Sequence, residues 1–190
     1  MARCYSDAMA RLKQDIGGTE LPRIWILSDA RNDAVLEAAL KRLPRGSGLV
    51  LRHYHLPEAQ RRARFAALLR IARARGHRVV LAGTMAQARA WGAHGAYGPA
   101  RLLARGGAGL RLVTVHSLGE MTRAARADAL VLSPVFPTRS HPGGKVLGPL
   151  RFRLLAGRAR RPVIALGGMD GRRAARLGGG AWAAIDAFLR

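Results

Sequence analysis

Short apolar runs alternate with helix-forming stretches along nearly all of this 190-residue chain, and that alternation restricts the fold more than any other feature. The runs are Ile24–Leu27, Gly48–Leu51, Val79–Leu81, Gly95–Tyr97, Leu112–Val115, Ala129–Leu132, Pro162–Leu166 and a last one near 181–184. Apolar runs this short and unbroken suit strands buried on both faces, as in a parallel sheet covered by helices. Helical patterns fill the gaps, near 32–43, 57–75, 84–92, 118–126, 149–158 and 170–177. Asn32 is placed to cap the first of them, Pro57 sits in the first turn of the second, and Gly76 follows its end. Eight strand-then-helix units favour a closed (β/α)8 barrel of the α/β class over an open doubly wound sheet. The barrel is expected to be a single compact domain over residues 21–190. Residues 1–20 read as an N-terminal helical extension ending at Gly17-Gly18.

Composition narrows the partners. The hydrophobic fraction of 49% is ordinary for a globular chain, and the formal charge is +22. Such a field attracts polyanions. However, only Lys13, Lys41 and Lys145 among the 33 basic residues are lysines, the arginines are spread along the chain, and aromatics for base stacking are few. Nucleic acid is therefore the lesser expectation, and an anionic small molecule the greater. Cys4 is the only cysteine, so no intramolecular disulfide or cysteine-rich metal site is possible. A reducing cytoplasm is the expected compartment. No membrane span or signal-type apolar segment is expected. Self-association into a homo-oligomer is left open.

In a barrel, chemistry gathers at the C-terminal ends of the strands. There the sequence places Ser28, Asp29, Arg52, His53, Ala82, Gly83, His116, the loop 133–148, Gly167 and Gly168. Gly167-Gly168 directly after the seventh strand lets backbone N–H groups approach a phosphate; the competing reading is a tight turn that needs φ > 0. The loop after the sixth strand carries Ser133, Thr138, Arg139, Ser140, His141 and Lys145, hydroxyls and cations suited to phosphate or pyrophosphate. His116 is a candidate for proton transfer, or else a helix-capping residue. Arg52 ends the second strand and is a candidate phosphate ligand. Asp29 is placed to orient Arg52 or to cap the next turn. His53 and His55 have metal-like spacing, but no carboxylate cluster accompanies them, so no metal ligand is assigned. Gly178-Gly179-Gly180, before the last strand, reads as a turn.

Val115-His116-Ser117-Leu118, Ser133-Pro134-Val135-Phe136-Pro137-Thr138 and Pro162-Val163-Ile164-Ala165-Leu166-Gly167-Gly168-Met169 resemble, in order and spacing, the motifs of the thiamine phosphate synthase/TenI family. Weaker likeness extends to Trp25–Asp29 and Leu49–Arg52. The resemblance implies a synthase that joins hydroxymethylpyrimidine pyrophosphate to thiazole phosphate with magnesium, releasing pyrophosphate. It implies that Gly167 and Gly168 bind the thiazole phosphate, that Thr138 and Ser140 contact substrate, and that Arg52 helps bind pyrophosphate. The chain departs from the pattern at several places. Tyr54 stands where the family has a lysine, and Ala82-Gly83 where it has Asn-Asp. The second metal-binding aspartate has no counterpart around Gly98–Leu103. Ser140-His141 replaces Thr-Lys, which leaves Lys145 as a candidate catalytic substitute. The alternative within the family is a TenI-like thiazole tautomerase. It needs no metal, and the resemblance gives His116 its acid/base role. A third expectation is a non-catalytic barrel that binds phosphorylated ligands or nucleic acid.

Overall fold

The computed structural model describes residues 21–140 and 142–189. The expected extension over residues 1–20 and the candidate His141 lie outside the described residues. The strands are β1 (Ile24–Leu27), β2 (Gly48–Leu51), β3 (Arg78–Ala82), β4 (Gly95–Pro99), β5 (Leu110–Val115), β6 (Ala129–Leu132), β7 (Val163–Leu166) and β8 (Trp182–Ala184). They close into a parallel barrel in chain order, sealed where β8 pairs β1 from Ile24↔Trp182 to Ile26↔Ala184. The helices are α1 (Asp33–Arg42), α2 (Glu58–Ala74), α3 (Met85–Ala90), α4 (Ala100–Leu103), α5 (Leu118–Arg123), α6 (Gly148–Ala156) and α7 (Gly171–Arg176). Single 3₁₀ turns cover Ala30–Asn32 and Asp186–Phe188. Among the described residues no helix is long and apolar enough to cross a membrane.

The two-faced burial expected of the apolar runs is what divides the core. Trp25, Leu27, Val50, Val80, Leu112 and Val131 fill the barrel interior. Their strand neighbours, such as Ile26, Leu49, Leu51 and Val113, pack outward against the helices. Alternation of side chains along each strand produces both layers from one run. Trp25 dominates the interior: it is fully buried, and its indole Nε1 donates to Pro22 O at 2.7 Å. That ring explains Gly48, because a Cβ there would sit 2.1 Å from an indole carbon.

Several local expectations need adjustment. Asn32 does not cap α1 with its side chain. Its amide nitrogen instead donates to Leu27 O (2.9 Å) and Ile185 O (3.1 Å), tying the ends of β1 and β8 together. Pro57 is the residue before α2, not a member of its first turn. Helix α4, only four residues long, has no counterpart in the sequence reading. Gly178 and Gly179 form the C-terminal turn of α7, with φ of 103° and 72°, as their position before β8 predicts.

Candidate active site at the barrel mouth

The loop after β7 and the loop after β6 form one packed unit. Leu166 O accepts from Val135 N–H (2.9 Å) and Gly167 O from Phe136 N–H (3.0 Å). The far end of the β6 loop closes on its own start, Leu147 N–H donating to Pro134 O and Gly148 N–H to Val135 O. Gly167 and Gly168 have φ of 97° and 59°. A Cβ on Gly167 would meet Pro134 Cα at 2.7 Å, and one on Gly168 would meet Pro137 O at 2.3 Å. These glycines therefore serve a structural need, letting the β6 loop lie against the β7 turn, besides any ligand they bind. Arg173 of α7, unnoticed in the sequence, lies over the Phe136 ring with its carbon 5.0 Å from the centroid and donates to Gly168 O. It brings a guanidinium to the glycine turn.

Around the ends of β8 and β1 a polar network links loops that are far apart in sequence, the β6 loop among them. Arg31 bonds Asp29 (2.9 Å), Asp186 (3.3 Å) and the Ser140 hydroxyl (2.8 Å). Ser140 N–H in turn donates to Thr138 Oγ1 at 3.3 Å. Asp29 also accepts from Arg31 N–H and stands 3.7 Å from Arg52, so it both caps the turn and faces Arg52. Burial tends to raise the Asp29 carboxyl, but the bonds from Arg31 and the Arg52 charge outweigh it and hold the group below its ordinary value. Ser28, Asp29, Arg52, His53, Tyr54 and His55 line a pocket of about 190 Å³ beside this network. Ser133 is half-buried at the end of β6, its N–H on Val115 O; Lys145 is exposed.

His53 is a structural residue. It is 1% exposed, with φ 39°, and its ring nitrogens lie 2.6 Å from Ser28 Oγ and 2.8 Å from Asp33 Oδ1. The Asp33 carboxylate accepts from Nε2–H, so in the neutral ring Nδ1 is the acceptor and takes the Ser28 hydroxyl hydrogen, while Ser28 Oγ accepts from Arg52 N–H. Both nitrogens are thus spent, which leaves the His53/His55 spacing without metal-binding capacity. Burial pushes the pKa of His53 below 6.5, and does the same to His77 and His94. Below 6.5 the unfolded chain takes up protons that the folded chain resists, so stability falls as pH drops through that value toward the folded pKa values. The urea midpoint is expected to fall between pH 7 and pH 5. A flat midpoint over that range would contradict this assignment of three neutral histidines, His53 and His77 buried and His94 partly so.

His116 extends past the end of β5 at the start of α5. Its N–H and its Nδ1 both lie 2.9 Å from Glu120 Oε2, and the side chain is 55% exposed. Ser117 caps α5 through Glu120 N–H. His116 is therefore both part of a helix-start arrangement and an oriented imidazole, because an ionised Glu120 holds the hydrogen on Nδ1 and leaves the Nε2 lone pair outward.

Magnesium does not fit the places the resemblance implies for it. The Ala82 carbonyl at the end of β3 accepts from Arg61 Nη2 (2.6 Å). A Cβ on Gly83 would meet Gln87 Oε1 at 2.3 Å, so no carboxylate can be accommodated without moving Gln87. Strand β4 ends in Gly98-Pro99. Among the described residues no three His, Cys, Asp or Glu side chains converge. Magnesium is held chiefly through carboxylate oxygens; Asp29 faces Arg31 and Arg52, and Asp186 gives one oxygen to Arg31 and keeps only the other, Oδ1, without a hydrogen-bond partner, which is too few for the metal.

Comparisons with known proteins agree with this architecture. A solved thiamine phosphate pyrophosphorylase from Pyrococcus furiosus superposes with a TM-score of 0.70 at 22% identity, covering 88% of each chain. One from Bacteroides thetaiotaomicron gives 0.59 at 16%, over 88% of this chain and 84% of its own. The YdjI aldolase from Escherichia coli K12 gives 0.57 at 10%, over 97% and 80%. At these identities the likeness is one of fold alone, which an aldolase shares. A search of curated protein sequences returned no match. The model of the family described as thiamine monophosphate synthase matches residues 25–184, nearly the whole barrel. On that match, and on a closed eight-stranded barrel that carries the family's motifs on its rim, the chain belongs to the thiamine monophosphate synthase family.

Proposed function

We propose that this barrel acts on a phosphorylated thiazole precursor of thiamine by proton transfer, as a TenI-like tautomerase. The observation that carries the reading is the His116–Glu120 pair at the end of β5, set beside a rim whose residues do not suit magnesium. Isomerising a thiazole carboxylate phosphate to its aromatic tautomer removes one proton and returns another. It needs no electron acceptor and no metal. In this account Gly167 and Gly168 hold the phosphate through backbone N–H groups, aided by the charge of Arg173. Ser133, Thr138 and Ser140 border the ligand on the β6 loop, with Ser140 fixed by Arg31. His116 Nε2 accepts the proton, and Glu120 stabilises the imidazolium that forms. Lys145 has no role in this chemistry.

A second reading is the synthase coupling of hydroxymethylpyrimidine pyrophosphate to thiazole phosphate. It is favoured by the tight packing of the Ser133–Thr138 loop on the glycine turn and by Arg52 beside the pocket. Isothermal titration with thiazole carboxylate phosphate, thiazole phosphate and thiamine phosphate, each with and without magnesium, separates the readings. Metal-independent binding of the carboxylated thiazole is the expected result. Binding of thiazole phosphate that tightens with magnesium and pyrophosphate together would favour the synthase. No binding to any of them would leave a barrel without this chemistry.

A further inference from the structure

Arg61 rises from the first turn of α2 and crosses the rim between β2 and β3. Its Nε donates to Arg52 O (2.7 Å) and its Nη2 to Ala82 O (2.6 Å), the carbonyls at the ends of those two strands. Its guanidinium carbon lies 5.4 Å from the Trp91 ring centroid and 5.5 Å from that of Tyr54, whose ring also faces Arg52 at 5.7 Å. Among the described residues no carboxylate stands within ion-pair distance of it, whereas Arg31 and Arg64 each contact two. Burial works against its charge, and an arginine keeps that charge regardless. The exposed Glu58 of the same helical turn favours the charge without reaching ion-pair distance, so this half-buried cation has two carbonyls and two rings but no carboxylate in contact among the described residues, an incomplete arrangement.

We propose that Arg61, together with Arg52, forms a metal-independent oxyanion site on the β2–β3 rim, which takes the diphosphate or carboxylate group of a ligand. Two of the five guanidinium N–H donors are spent on strand-end carbonyls, which leaves three for the anion. Those carbonyls fix the fork in place, so little side-chain freedom is lost on binding. The cation also occupies the end of β3, where the resemblance would place a carboxylate and its magnesium. Here a fixed positive charge replaces a recruited one. Strands β3 and β7 lie four apart in a ring of eight, so this site and the glycine turn face each other across the mouth. A ligand with an anionic group at each end would meet both.

The test is isothermal titration with inorganic pyrophosphate in EDTA, repeated with magnesium. The expected result is binding in EDTA that magnesium does not strengthen. Arg61→Met, which keeps the chain length against Trp91, is expected to weaken binding by about tenfold or more, and Arg61→Lys by less. Arg105→Ala, an exposed position away from the rim, should bind as wild type. Pyrophosphate binding that requires magnesium, or an unchanged affinity in Arg61→Met, would overturn the proposal. Should Arg61→Met lose its circular dichroism signature, the magnesium comparison on the wild-type protein decides alone. Thiazole carboxylate phosphate is then added to the pyrophosphate complex. Competition assigns the site to the substrate carboxylate and joint occupancy assigns it to a diphosphate; both support an oxyanion site. The inference stands apart from the tautomerase reading, because His116→Gln should leave pyrophosphate binding intact.

Discussion

His116→Gln is expected to slow isomerisation of thiazole carboxylate phosphate by about 10²- to 10⁴-fold, while substrate affinity stays within about threefold. Glutamine keeps a side-chain amide near Glu120 but cannot take up a proton in the physiological range. The geometry makes the loss specific. Burial tends to raise the Glu120 carboxyl, yet the hydrogen bonds from His116 outweigh it and hold the group below its ordinary value. The carboxylate is thus ionised at neutral pH, keeps the hydrogen on Nδ1 and presents Nε2 as the base. Glu120→Gln should therefore cost less than His116→Gln, about tenfold, since the imidazole remains but loses its orienting charge. Stability should hardly change in either variant, because His116 is exposed and Ser117 still caps α5. Steady-state turnover with a binding titration checks all of these. Wild-type turnover in His116→Gln would remove the imidazole from the chemistry.

Gly168→Val is expected to weaken binding of the phosphorylated thiazole by more than about 100-fold and to destabilise the barrel by roughly 2–4 kcal/mol. Two independent causes add. A β-branched residue at φ 59° is strained, and its Cβ would lie 2.3 Å from Pro137 O and 2.9 Å from Phe136 Cβ. The β6 loop must lift, which breaks the bond from Phe136 N–H to Gly167 O and displaces Thr138 and Ser140 with it. Titration of the folded fraction and a urea melt measure the two effects. Retained binding in a destabilised but folded Gly168→Val would show that the turn serves only to pack the loop.

The barrel was legible because its strands are buried on both faces, so each appears as a dense apolar run bounded by polar residues. Trp25 and its neighbours needed no more than that. Helix α4 was not legible, since four residues set no period. For the β7 glycines a turn with φ > 0 is the competing reading beside a phosphate site; that turn is present, and its packing against Pro134 and Pro137 depends on a contact that only the closed barrel creates. Arg31 escaped notice for a different reason. It is one arginine in an arginine-rich chain, and its importance comes from meeting Asp186, 155 positions away, after β8 closes on β1. Arg61 carried no signal either, because on α2 it reads as one more charge on a solvated helix face. Asn32 shows the converse error: a good cap by residue type, it is drawn to the carbonyls of Leu27 and Ile185 once the two strand ends meet. Local pattern reveals the frame, and the frame decides which polar residues become a site.

The most direct measurement is the rate at which the purified protein isomerises thiazole carboxylate phosphate in EDTA, compared with the rate in magnesium. Turnover in EDTA at the same rate as with the metal, lost in His116→Gln, is the expected result. No isomerisation under either condition, with magnesium-dependent formation of thiamine phosphate from the pyrimidine pyrophosphate and thiazole phosphate, would contradict it.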